Sequence, residues 1–138
     1  FRAALNITAD TNVLLRAIVG DDQSQQRLAV EALESAERVA VTSQSLCELA
    51  WVLARGYRTS REDIAAAIRR LLEMRNISVD RRAAEAGLAV LEAGGDFADG
   101  VIAHEGQWLG GETFVSFDVQ AVRLLERSGV KARLLSAS

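Results

Sequence analysis

Four acidic residues stand out by their settings: Asp10 in "TADTNVLLR", Glu48 in "SLCELAWVLA", Asp99 in "DFADGVIA" and Asp118 in "SFDVQAVRLL". Asp10 and Asp118 each sit between a β-leaning stretch and the start of a helical pattern. Four carboxylates around one pocket would repel one another and raise one another's pKa values. A protein tolerates such a set where a cation belongs. Oxygen-only donors suit hard divalent ions, Mg²⁺ or Mn²⁺. A single cysteine, Cys47, and a single histidine, His104, argue against zinc.

Each acid also has a bland reading. Asp10, Asp96 and Asp118 stand where helix N-caps are expected. Asp99 fits the first turn of a helix, where it would complement the dipole. Glu48 lies in a helix apolar nearly all round, a pattern that predicts burial. An unpaired buried carboxylate is costly, so its structural alternative is a salt bridge to Arg16 or Arg55.

Other chemistries lack their signatures. There is no GxxxxGK[ST] or GxGxxG phosphate cradle, and no GxSxG elbow to accompany a serine nucleophile. His104 and Cys47 read as packing residues, and Trp51, Tyr57 and Trp108 as core or interface residues. The net charge of −3 predicts no global attraction for nucleic acid. Fifteen arginines against one lysine nevertheless offer phosphate contacts. Arg16, Arg55 and Arg58 are the candidates nearest the acidic motifs.

The elements that must position these residues follow from pattern. Strands are predicted over 5–9, 38–42, 77–79, 113–117 and 131–135. Helices are predicted over 11–20, 22–37, 43–57, 60–75, 81–93, 96–110 and 118–129. Ser43 or Ser45 is the expected cap of the third helix, and Ser60 with Asp63 has the spacing of a capping box. Alternating strands and helices without a hairpin signal predict a parallel sheet with helices on both faces. Ligands of such a sheet gather beyond the carboxyl ends of its strands, where Asp10 and Asp118 belong. At 138 residues the chain predicts one domain, 1–138. No apolar run reaches the roughly 18 residues of a membrane helix. No secretory signal pattern is visible, and an opening Phe1 suggests that the natural start is missing. A lone cysteine suits a reducing cytoplasm.

Taken together, "ADTNVLLR", "SLCELAWVLARGY", "GGDFADGVIAH" and "SFDVQAVRLL" resemble the PIN-domain family over essentially the whole chain, and within it the VapC-type toxins of toxin–antitoxin pairs. "DTNVLLR" and "DFADGVIA" in this order carry most of the likeness, and "FD" alone is weak. The resemblance implies a Rossmann-like three-layer α/β/α fold with a central parallel sheet of about five strands. It implies a metal-dependent ribonuclease acting on structured RNA, either transfer or ribosomal. Its acidic positions fall on Asp10, Glu48, Asp99 and Asp118, with Asp96 a less constant one. Thr11 and Asn12 match the residues that shape the site. A VapB-type antitoxin and a homodimer are further implications. Two departures are Ser116-Phe117 before Asp118, where many relatives have a threonine before "FD", and Gly100 at a usually alanine-like place.

Two rivals follow. One is a catalytically idle module of the same family, acting through its antitoxin complex. The other is a phospho-receiver, for which Asp80 would be the acceptor. A receiver also needs a lysine ending a late strand, and Lys131 begins one instead.

Overall fold

The computed structural model describes residues 5–136. The described residues divide into two compact units, the first ending at Asp80 and the second beginning at Arg81.

The first unit runs β1 (Asn6–Thr8), α1 (Thr11–Ile18), α2 (Gln23–Ser35), β2 (Arg38–Ala40), α3 (Ser43–Arg55), α4 (Arg61–Glu73) and β3 (Ile77–Ser78). Its three strands pair in parallel in sequence order, with Ile7 opposite Val39 and Val39 opposite Ile77. Helix starts are set by short polar side chains. Asp22 accepts from the Gln25 amide and Ser60 from the Asp63 amide, the latter as the capping-box spacing predicts. Thr42, not Ser43 or Ser45, caps α3 by accepting from the Ser45 amide. The side chain just outside the first turn reaches that amide, and one inside the turn does not. Leu14, Val39, Leu46, Leu49, Leu53, Ile64 and Ile68 are fully buried. Full burial of each large apolar side chain is worth about 1.5–3 kcal/mol. The Asn76 amide donates to the carbonyls of Leu33 (2.7 Å) and Ala36 (3.0 Å), which ties the end of α2 to the approach to β3.

The second unit runs α5 (Arg81–Glu92), α6 (Phe97–Trp108), β4 (Phe114–Ser116), α7 (Val119–Arg127) and β5 (Ala132–Leu134). β4 and β5 pair in parallel, with Val115 opposite Arg133. Val90, Ala103, Leu124 and Leu125 form a core on which Phe114, Val130 and Ala132 pack. α5 and α6 approach closely. A Cβ on Gly87 would strike the Phe97 ring at 2.6 Å, and one on Gly100 would meet the carbonyl carbon of Ala86 at 2.7 Å. The departure at Gly100 therefore has a steric cause: an alanine methyl has no room there.

The mixed α/β class and the parallel pairing match expectation, and all five predicted strands form. The single sheet of about five strands is corrected. Among the described residues the strands make a three-stranded sheet, β1-β2-β3, and a separate two-stranded pair, β4-β5. Pattern identifies a strand and its buried faces, but the ladder bonds are made by backbone groups common to every residue. The pattern therefore does not choose a strand's neighbours. No helix among the described residues is long and apolar enough to cross a membrane.

Candidate functional site

In the first unit, Asp10 follows β1 and caps α1. Its Oδ1 accepts from the Val13 amide at 3.0 Å, while its backbone carbonyl accepts from Leu14. β1 is aligned to β2 up to this point, where the Ala9 amide donates to the Ala40 carbonyl at 3.1 Å. Thr11, the next residue, donates its hydroxyl to Glu48 Oε2 at 3.0 Å. One short helix start thus holds one carboxylate directly and orients a second, 37 positions along the chain. Asn12 beside them is exposed.

Glu48 departs from expectation in its setting. It is exposed, although its helix buries Leu46, Leu49, Ala50 and Leu53. Thirteen residues of helix turn enough faces outward that an apolar stretch still has a solvent side. Its alternative partner, Arg16, is engaged elsewhere: Nη1 donates to Asp21 Oδ1 at 2.8 Å, and the Tyr57 hydroxyl donates to Asp21 Oδ2 at 3.0 Å. Burial opposes the charge on Asp21, but the Tyr57 and Arg16 bonds outweigh it and hold the carboxyl below its ordinary range. Burial also opposes the charge on Arg16; the pairing with Asp21 overcomes it and raises the guanidinium pKa. Arg55 and Arg58 are exposed, and Arg58 takes a left-handed backbone, φ 51°.

In the second unit, three acids lie at two helix starts. Asp96 occupies the N-cap position of α6 yet makes no side-chain cap bond, and Asp99 lies in the first turn. Asp118 caps α7, its Oδ1 accepting from Gln120 (2.9 Å) and Ala121 (3.2 Å). Asp99 is half-buried. Burial first, then the charges of Asp96 and of Asp118, push its carboxyl above the usual range. Each influence disfavours its anion.

The turn between α5 and α6 brings these acids together. Gly94, at φ 107°, closes α5, a left-handed conformation that glycine adopts without strain. Gly95 then lies so close to α7 that a Cβ would stand 2.6 Å from Leu124 Cδ1. The Gln120 side-chain Nε2 donates to the Gly94 carbonyl at 3.0 Å, so the start of α7 is bonded to the turn that launches α6. Ser116 Oγ accepts from the Asp118 amide at 3.0 Å and shapes the step from β4 into α7. Sequence reasoning missed Gln120, Gly95 and Ser116 as supports of the acids. Two adjacent glycines followed by an acid were the available signal.

Capping is therefore confirmed for Asp10 and Asp118, and both caps run through Oδ1. Asp96 stands at the N-cap position without a side-chain cap bond, and Asp99 lies in the first turn of α6, where the dipole reading placed it. Among the described residues, no group of three or more His, Cys, Asp and Glu side chains forms a ready-made metal cage. The donor chemistry still fits a hard divalent cation. The donors are all carboxylate oxygens, and Asp99, held above its ordinary range first by burial and then by the charges of Asp96 and Asp118, is a group whose anion a cation would favour.

Comparison with protein families matches the PIN domain model to residues 7–124, a stretch that runs from β1 in the first unit into α7 in the second. Comparison with curated proteins finds no match.

Proposed function

The chain belongs to the PIN domain family, and from that premise we propose that it is a metal-dependent endoribonuclease, the VapC-type toxin of a type II toxin–antitoxin pair. PIN domains are generally nucleases. The proposed reaction is hydrolysis of a phosphodiester in structured RNA, transfer or ribosomal, with the 3′ oxygen leaving. Asp10 and Asp99 act as direct ligands of Mg²⁺ or Mn²⁺, and Glu48 and Asp118 as further ligands or as groups that orient water. A bound divalent ion supplies Lewis acidity: it eases deprotonation of water and offsets phosphate charge. The chain's own residues supply orientation. The Thr11 hydroxyl donates to Glu48 and the α7 amides donate to Asp118, which favours one orientation of each carboxylate. Asp96 adds negative charge beside Asp99. Arg16, Arg55 and Arg58 belong to the proposal as phosphate contacts, Arg16 with its guanidinium already shared with Asp21. A VapB-type antitoxin, a homodimer and a cytoplasmic location complete it.

The observation that carries this reading is Asp99, a half-buried acid in the first turn of α6 whose carboxyl feels the charges of Asp96 and Asp118. The test is cleavage of bulk transfer RNA and ribosomal RNA by the purified protein in Mg²⁺ or Mn²⁺, with and without EDTA. Cleavage that stops on chelation supports it. Undiminished cleavage under full chelation overturns the metal mechanism. No cleavage in either ion, together with tight antitoxin binding, replaces the enzyme with the idle module. Expression without antitoxin should arrest growth, and Asp10→Asn at equal soluble abundance should relieve the arrest.

A further inference from the structure

Phe117 is 74% exposed and stands immediately before Asp118, in the two-residue step from β4 into α7. An aromatic ring so exposed contributes little to a core. Its backbone is not loose: the Asp118 amide bonds to Ser116 Oγ on one side, and the Asp118 side chain caps α7 on the other. The residue thus stands at the carboxyl end of a parallel strand pair, the region where ligands of such sheets bind. It also adjoins an acid whose charge is felt at Asp99.

The acids by themselves repel RNA, and a cation held among them would recognise only the phosphate. A neighbouring uncharged ring adds a contact that charge does not govern. Every base has a π-face, and stacking on an aromatic side chain tolerates any sequence. We propose that Phe117 is a stacking platform for the nucleobase beside the scissile phosphate. The proposal rests on the ribonuclease reading above. Its physical requirement is that the base be splayed out of its helix, which single-stranded loops and bulges allow. Leu109 makes a useful contrast. It is more exposed still, at 89%, but lies beyond the last turn of α6, whereas Asp99 lies in the first.

The experiment uses a labelled RNA hairpin whose loop contains the cleavage site, and the same hairpin with one abasic nucleotide at that site. Cleavage in Mn²⁺ and binding in Ca²⁺ are measured for wild type, Phe117→Leu, Phe117→Trp and Leu109→Ala. Leucine keeps apolar bulk without a ring, and tryptophan keeps a ring. Phe117→Leu should raise KM and Kd roughly five- to a hundredfold, the range expected for one stacked base, with kcat within about twofold because uniform binding is what is lost. Phe117→Trp and Leu109→Ala should behave as wild type. The abasic hairpin should weaken wild type by a similar factor and weaken Phe117→Leu no further. Equal KM for wild type and Phe117→Leu, in a protein that cleaves, overturns the stacking role and leaves the nuclease standing. If Phe117→Leu does not fold, the abasic hairpin on wild type decides: no loss of affinity overturns the proposal. A wild type that neither binds nor cleaves with any metal removes the nuclease reading and this inference with it.

Discussion

Asp10 and Glu48 in the first unit each accept a hydrogen bond, whereas Asp99 in the second feels the charges of two further acids. The first pair is held by the Val13 amide and the Thr11 hydroxyl. At Asp99 burial and two neighbouring negative charges all act against ionisation. Residue type alone does not separate them, since all are carboxylates near helix starts or on helices. What differs is whether the fold has already answered the charge. A carboxylate that accepts hydrogen bonds is oriented and stable as it stands. One left among acids stores an electrostatic cost that a cation removes, so the second unit is where metal should have its larger effect on stability.

The largest expected effect tests whether both groups serve catalysis. Asp99→Asn and Asp10→Asn should each lower single-turnover RNA cleavage by about a hundredfold or more, since even supporting groups around a metal cost 10–100-fold. Loss at Asp99 with full activity at Asp10 would leave the first-unit pair as a structural cap. Under Mn²⁺ titration at fixed ionic strength, wild type should gain about 2.7 kcal/mol at a hundredfold excess over Kd, and Asp99→Asn much less. Equal gains would detach Asp99 from any metal.

Next comes the packing that presents the second-unit acids. Gly100→Ala should destabilise by about 1–3 kcal/mol, because the new methyl meets the Ala86 carbonyl. Gly106→Ala, on the same helix with nothing within 4 Å of its Cβ, should stabilise by about 0.5–1 kcal/mol. Urea unfolding compares the two, and the same sign for both would show that the α5–α6 contact is looser than described.

Thr11→Val should cost roughly tenfold in kcat, at the low end for a supporting hydrogen bond, with little change in Tm. A kcat equal to wild type would mean that the Thr11–Glu48 bond does not orient a working group. Asp118→Ala should lose about 1 kcal/mol of stability through the α7 cap and Asp118→Asn only a few tenths, while both lose activity. Retained activity in the asparagine variant would leave the cap as the residue's whole role.

The smallest effect sharpens the electrostatic half of the comparison. The folded-state pKa of Asp99 lies above the ordinary 3.8, so its anion is penalised in the folded protein. The penalty is absent below the unfolded-state pKa and grows as pH rises through it to the folded value. In EDTA, Asp99→Asn should therefore match wild type near pH 3 and melt slightly higher at pH 7. A lower Tm for the variant at pH 7 would show that the acids do not crowd.

Much of this was legible in local sequence. Strand and helix positions follow from apolar period, and Ser60 with Asp63 announces its box because a cap spans only a few residues. The acids were legible by type and by their places at helix starts. Glu48 was not: a run of apolar letters predicts burial, but the face a helix shows to solvent depends on what packs against it, and here Glu48 emerges beside Thr11. Arg16 likewise had several acids within reach along the chain, and only the folded positions of Asp21 and Tyr57 settled its partner. The division into β1-β2-β3 and β4-β5 and the bond from Gln120 to Gly94 belong to the same class. Local conformation is decided by side-chain sterics and caps within a turn of the residue concerned. Pairing between distant segments is decided by backbone groups that are alike at every position and by apolar contact that has no direction, so only the assembled tertiary structure selects among the choices.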